Sequence, residues 1–87
     1  NQYTVIGQYS IVATNAACMK NVKPFSRYIP GKPLSVNYYA IKKFGFEAYE
    51  KEIEEYVLNN QELVSGPLKM IVAEFNFWVD KYGHQTY

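Results

Sequence analysis

The stretch from Ser65 to Gly83 limits the fold of this chain more than any other. At helical spacing it places Leu68, Ile71, Val72, Phe75, Val79 and Tyr82 on one face, with Trp78, the only tryptophan, beside them. Ser65 is an N-cap residue type, Pro67 falls in the first turn where no donor is lost, and Gly83 can close the helix. A helix this apolar needs a large partner surface, from the rest of the chain or from another molecule. If it is a helix, Trp78 is buried with Phe75 and Phe77 is exposed; if Phe75 and Phe77 share one face, the stretch is a strand.

The rest of the chain must form a single domain with it, since 87 residues suffice for one core and not for two. Phe46 to Asn60 reads as a second helix. Phe46, Tyr49, Ile53, Tyr56 and Val57 recur at helical spacing, while Glu47, Glu50, Lys51, Glu54 and Glu55 take the other faces. Asn59-Asn60 ends it, or it continues to Val64, and Ser65-Gly66-Pro67 forms the corner into the last helix. Two helices joined this tightly are expected to pack with their apolar stripes together.

The first half reads differently. Tyr3 to Thr14 lacks charge and is rich in Tyr, Val, Ile and Thr, which predicts one bent strand or a hairpin around Gly7. Asn15 to Met19, with Ala16 and Ala17, suggests a short helical turn. Asn21 to Pro33 carries Pro24, Pro30 and Pro33 with Gly31, and predicts a loop. Leu34, Val36, Tyr38 and Ala40 alternate, so Leu34 to Phe46 is read as a strand ending at Lys42-Lys43, with a helix capped by Ser35 as the rival. The expected fold is therefore α+β, with two or three N-terminal strands packed on two C-terminal helices; an all-α arrangement is the alternative.

Charge is divided along the chain. The first 46 residues hold no acid and six cations: Lys20, Lys23, Arg27, Lys32, Lys42 and Lys43. The remainder holds eight acids against Lys51, Lys69 and Lys81. Such a split marks a charged partner, or two halves that attract one another within one fold.

The run Leu63-Val64-Ser65-Gly66-Pro67-Leu68, followed by Phe75-Asn76-Phe77-Trp78, resembles the helix–Gly-Pro–strand segment of papain-like cysteine peptidases. The resemblance covers about a quarter of the chain and no catalytic position of those two-lobed enzymes. It implies a strand from Leu68 to Ala73.

Catalytic chemistry finds little footing. Cys18 and His84 are the only thiol and imidazole, and Gly83 separates His84 from the helix that would position it beside Asp80. One Cys and one His do not make a zinc site, and the crowded Glu50, Glu52, Glu54 and Glu55 read as a solvated face. Gly7, Gly31, Gly45, Gly66 and Gly83 are isolated, so there is no phosphate loop. The chain is expected to be no enzyme and to need no metal or cofactor. A lone cysteine, with no signal-peptide pattern and no apolar run long enough to span a membrane, favours an intracellular setting.

Binding remains. Nine tyrosines, five phenylalanines and a tryptophan are more aromatic surface than a core this small requires, and aromatics anchor interfaces. The expected contact surface comprises Lys20, Lys23, Phe25, Arg27, Tyr28 and Lys32 of the proline-rich segment, with Lys42 and Lys43 adjacent. The expected partner is another protein or a second copy of the chain. The alternative is single-stranded nucleic acid, held by those cations with Phe25, Tyr28, Tyr38, Tyr39 and Phe44. Only one arginine stands among them, which weighs against phosphate recognition.

Overall fold

The segment read as a proline-rich loop is instead the centre of the sheet. The computed structural model describes residues 4–14, 20–83 and 85–87. Three short strands, β1 (Ile11–Val12), β2 (Ser26–Tyr28) and β3 (Ser35–Val36), precede three α-helices, α1 (Tyr38–Lys43), α2 (Glu50–Asn59) and α3 (Gly66–Tyr82), with a 3-10 turn at Glu47–Tyr49 leading into α2. The strand order is β1-β2-β3, with β2 parallel to β1 and antiparallel to β3. The α+β expectation holds, strands first and helices after, and the all-α alternative does not.

Proline argues against a central strand because it cannot donate to the ladder. Here the ladder bends where the proline sits. Upstream of β2, Ile6 and Val22 form a parallel bridge, with Gly7 donating to the Val22 carbonyl at 2.7 Å and Val22 to that of Val5 at 2.9 Å. Both paired segments then kink, at Tyr9 (φ 65°) and at Phe25 (φ 63°), before pairing resumes as β1 and β2. The rings of Tyr9 and Phe25 stack at 5.3 Å, and Phe44 and Phe46 close the cluster around them. Gly7 has to be glycine: a Cβ there would lie 2.3 Å from the Pro24 nitrogen. Residues 4–14 are thus a bent extended segment that pairs with Asn21–Tyr28 rather than with itself. The helical turn expected at Asn15–Met19 lies outside the described residues, as do Tyr3, Cys18 and His84.

The strand expected from Leu34 to Lys43 is also corrected. It stops after Val36, because Asn37 turns the chain into α1. The Asn37 side chain accepts from the Ala40 N–H at 3.3 Å, capping the helix, and donates to the Tyr9 carbonyl at 2.7 Å. Its backbone N–H donates to the Phe25 carbonyl at 2.8 Å. One buried asparagine therefore ends the strand, starts the helix and ties both to the kink.

α2 ends at Asn60, which takes the left-handed conformation (φ 58°). α3 is a helix throughout, so the strand implied by the peptidase resemblance at Leu68 to Ala73 is overturned. Gly83 ends it in the left-handed conformation, donating to the Val79 carbonyl at 2.8 Å. Ser65 occupies the N-cap position, but its hydroxyl donates to Glu52 of α2, and the same carboxylate accepts from the backbone N–H groups of Val64 (2.7 Å) and Ser65 (3.0 Å). Glu52 thus fastens the start of α3 to α2, and these bonds, that to the Ser65 hydroxyl foremost, hold its carboxyl below the usual carboxylate range.

The core gathers Phe25, Val36 and Ile41 with Ile53, Tyr56 and Val57 of α2, Leu63, and Leu68 of α3. Along α3, Leu68 and Phe75 are buried and Ile71 and Val72 half-buried, whereas Phe77 is 60% and Trp78 37% exposed. Phe75 inside and Phe77 outside is the helical arrangement; Trp78 is only partly covered.

Candidate binding face

Strand register builds the candidate site. A side chain on every second residue points outward, and pairing aligns Ile11 with Arg27 and Arg27 with Ser35 across the sheet. Ser26 and Val36, the next pair, are buried on the opposite side. Ile11, Arg27, Asn37, Tyr38 and Tyr39 line a shallow groove of about 240 Å³, with the Val36 backbone between them. The Arg27 guanidinium makes no hydrogen bond or ion pair with any described residue.

α1 supplies the aromatic wall. Ala40 and Ile41 anchor its inner side in the core, which turns Tyr38, Tyr39, Lys42 and Lys43 outward. Tyr39 is 66% and Phe44 51% exposed, and the Lys43 ammonium lies over both rings, at 5.4 and 5.7 Å from their centroids. A cation over two rings is held in place and sheds part of its hydration. The Tyr38 hydroxyl donates to the carboxylate of Glu54 in α2, which pushes its own pKa up to about 12. Arg27, Tyr39, Lys43 and Phe44 therefore form one continuous basic and aromatic face, with Lys42 next to it.

The other residues of the expected contact surface lie elsewhere. Lys23 and Phe25 are corrections: both point inward. Phe25 is in the core. Lys23 is 6% exposed and its ammonium donates to the carbonyls of Tyr56 (3.0 Å) and Val57 (3.3 Å) and to Asn60 Oδ1 (2.7 Å), at the C-terminal end of α2. Burial pushes its pKa below the ordinary 10.5. The basic segment thus meets the Glu-rich helix here through a helix terminus and not through a carboxylate. Lys20 and Tyr28 belong to a separate cluster, with Tyr87 stacked on Tyr28 at 4.5 Å and the Lys20 ammonium 5.6 Å from the Tyr87 ring. Lys32 is exposed in the turn after Pro30. Ile11 and Tyr87 were not anticipated. Ile11 joins the face only through the β1–β2 register, which no local pattern reveals, and Tyr87 joins the separate Tyr28 cluster only through pairing of Thr86 with Asn21.

The face can bind an anionic group and stack against a flat or apolar one. It presents no nucleophile with a base beside it. Among the described residues there is no group of three or more His, Cys, Asp or Glu side chains placed to hold a metal ion, and no helix is long and apolar enough to cross a membrane. No protein-family model matches the sequence, and no curated protein or solved structure matches it.

Proposed function

We propose that this chain is a non-enzymatic protein-binding module whose Arg27–Tyr39–Lys43 face takes an acidic segment of another protein. The observation that carries the reading is the guanidinium of Arg27, without a partner among the described residues, in a groove between Ile11 and two tyrosines. A guanidinium fork matches a carboxylate in bidentate geometry, and exposed tyrosines contribute contact area at low cost in side-chain entropy. Lys42 and Lys43 extend the positive field along the same side and favour an acidic partner on approach.

A second reading is single-stranded nucleic acid, favoured by the exposed rings of Tyr38, Tyr39 and Phe44 between those lysines. Titration with an Asp/Glu-rich peptide bearing one aromatic residue, and in parallel with a single-stranded oligonucleotide, separates the two. The protein reading expects peptide binding that falls roughly tenfold or more on Arg27→Ala with Lys43→Ala, and weakens modestly with salt. Unchanged peptide affinity in that double variant refutes the assignment of the face. Oligonucleotide binding alone, with log affinity falling steeply against log salt, replaces the protein reading with the nucleic-acid one.

A further inference from the structure

The outer side of α3 carries a second exposed surface. At 100° per residue, Met70, Glu74, Phe77, Trp78 and Lys81 fall on one stripe, away from Leu68 and Phe75. Met70 is 79% exposed, and Phe77 and Trp78 meet edge to face at 5.0 Å on the surface. Lys81 lies over the Trp78 ring at 5.4 Å. Nothing in the core uses this stripe. Its two charges, Glu74 and Lys81, lie seven residues apart with the aromatic pair between them, whereas Lys69 and Asp80 fall on another side of the helix.

We infer that this stripe is a self-association surface, and that its occupant is α3 of a second copy, running antiparallel about a two-fold axis between Phe77 and Trp78. The charge order dictates this. In that register Glu74 of each copy faces Lys81 of the other, twice per dimer, and Phe77 faces Trp78. A parallel pairing would set Glu74 against Glu74 and Lys81 against Lys81, which is unfavourable. Beside Trp78 a cleft of about 340 Å³, lined by Val5, Ile6, Ile71 and Phe75, gives the ring of Phe77 from the second copy a concave surface to enter. Two helices meeting over about three turns bury less than the ~800 Å² per partner of a standard interface, so the dimer is a weak one. Its closed two-fold symmetry limits growth to two copies, unlike a head-to-tail contact between basic and acidic halves.

The test is sedimentation equilibrium from about 1 µM to about 1 mM, the range in which so small an interface dissociates. Trp78 emission over the same series is a second readout, shifting to shorter wavelength as the indole is covered. The expected result is a mass rising towards twice that of the chain. Glu74→Lys alone and Lys81→Glu alone each weaken association at least about tenfold, and the two together restore it, because the exchanged pairs again face opposite charges. Both positions are exposed, and an unchanged helical circular-dichroism spectrum verifies that the variants fold. A mass that stays monomeric throughout overturns the inference. So does a double variant that fails to recover, or a dimer abolished by Arg27→Ala with Lys43→Ala, which would place the contact on the basic face.

Discussion

Replacing Lys23 by methionine separates a structural cation from a surface one. Methionine keeps most of the apolar stem and removes only the ammonium, so packing changes little and three hydrogen bonds disappear. Tyr56 and Val57 are buried, and each carbonyl left without its donor costs about 1–3 kcal/mol. Loss of a positive charge from a partly buried helix C-terminus adds up to about 2 kcal/mol. Asn60 is exposed, so its side-chain oxygen rehydrates at little cost. Against these losses stands relief from holding an ammonium out of water, the burial that lowers the Lys23 pKa. The net expectation is a loss of about 2–3 kcal/mol, or a fall in Tm of roughly 8–24 °C for a domain this size. Urea unfolding at pH 7, followed by far-ultraviolet circular dichroism, measures it. The sign with pH is also fixed. Lys23 releases its proton earlier in the folded than in the unfolded chain, so its contribution grows as pH rises from the folded pKa to 10.5 and is lost as pH falls back through the folded value. The deficit of Lys23→Met should therefore widen in mild alkali. A change within about 0.5 kcal/mol, the range of a surface substitution, would refute the structural role. A variant more stable than the parent would show that the desolvated ammonium outweighs its bonds.

Three further perturbations follow from the fold. Glu52→Gln should cost about 1 kcal/mol at pH 7, modest because the carboxylate is partly exposed. With its pKa lowered in the folded state, Glu52 contributes stability above pH 4.5 that is lost as pH falls through the folded value, so Tm measurements across the acid range should show the gap between parent and variant closing. Gly7→Ala should cost about 3 kcal/mol or more, because its methyl meets Pro24 backbone; Gly66→Ala at the start of α3, with open space around it, should be neutral or slightly stabilising by thermal melt.

The two longer helices, α2 and α3, were legible because their signals are local. Stripe, corner and Gly83 all lie within the segment they shape, and α2 and α3 appear where periodicity places them. The sheet was not, because its decisive contacts join residues far apart. Pro24 reads as a loop marker until the kinks at Tyr9 and Phe25 remove the need for its missing donor. Asn37 looks like any residue in an alternating run, yet its side chain ends the strand by reaching the Tyr9 carbonyl. Lys23 and Arg27 are both cations of one basic segment. Only the carbonyls at the end of α2, more than thirty positions away, make the first a buried cap and leave the second facing outward. The charge split was plain in the sequence, but which cations reach the surface depended on that same long-range pairing.

Asn21 links distant parts of the chain through one buried side chain and its backbone. Its side chain accepts from Val5, sixteen residues back, while its backbone pairs with Gln85 and Tyr87, and its amide reaches Thr86, sixty-five residues on. Closing the longer loop costs only about 1 kcal/mol more than the shorter by chain-entropy scaling. Asn21, fully buried, thereby joins the Val5 segment and the Gln85–Tyr87 segment at a single point of the fold.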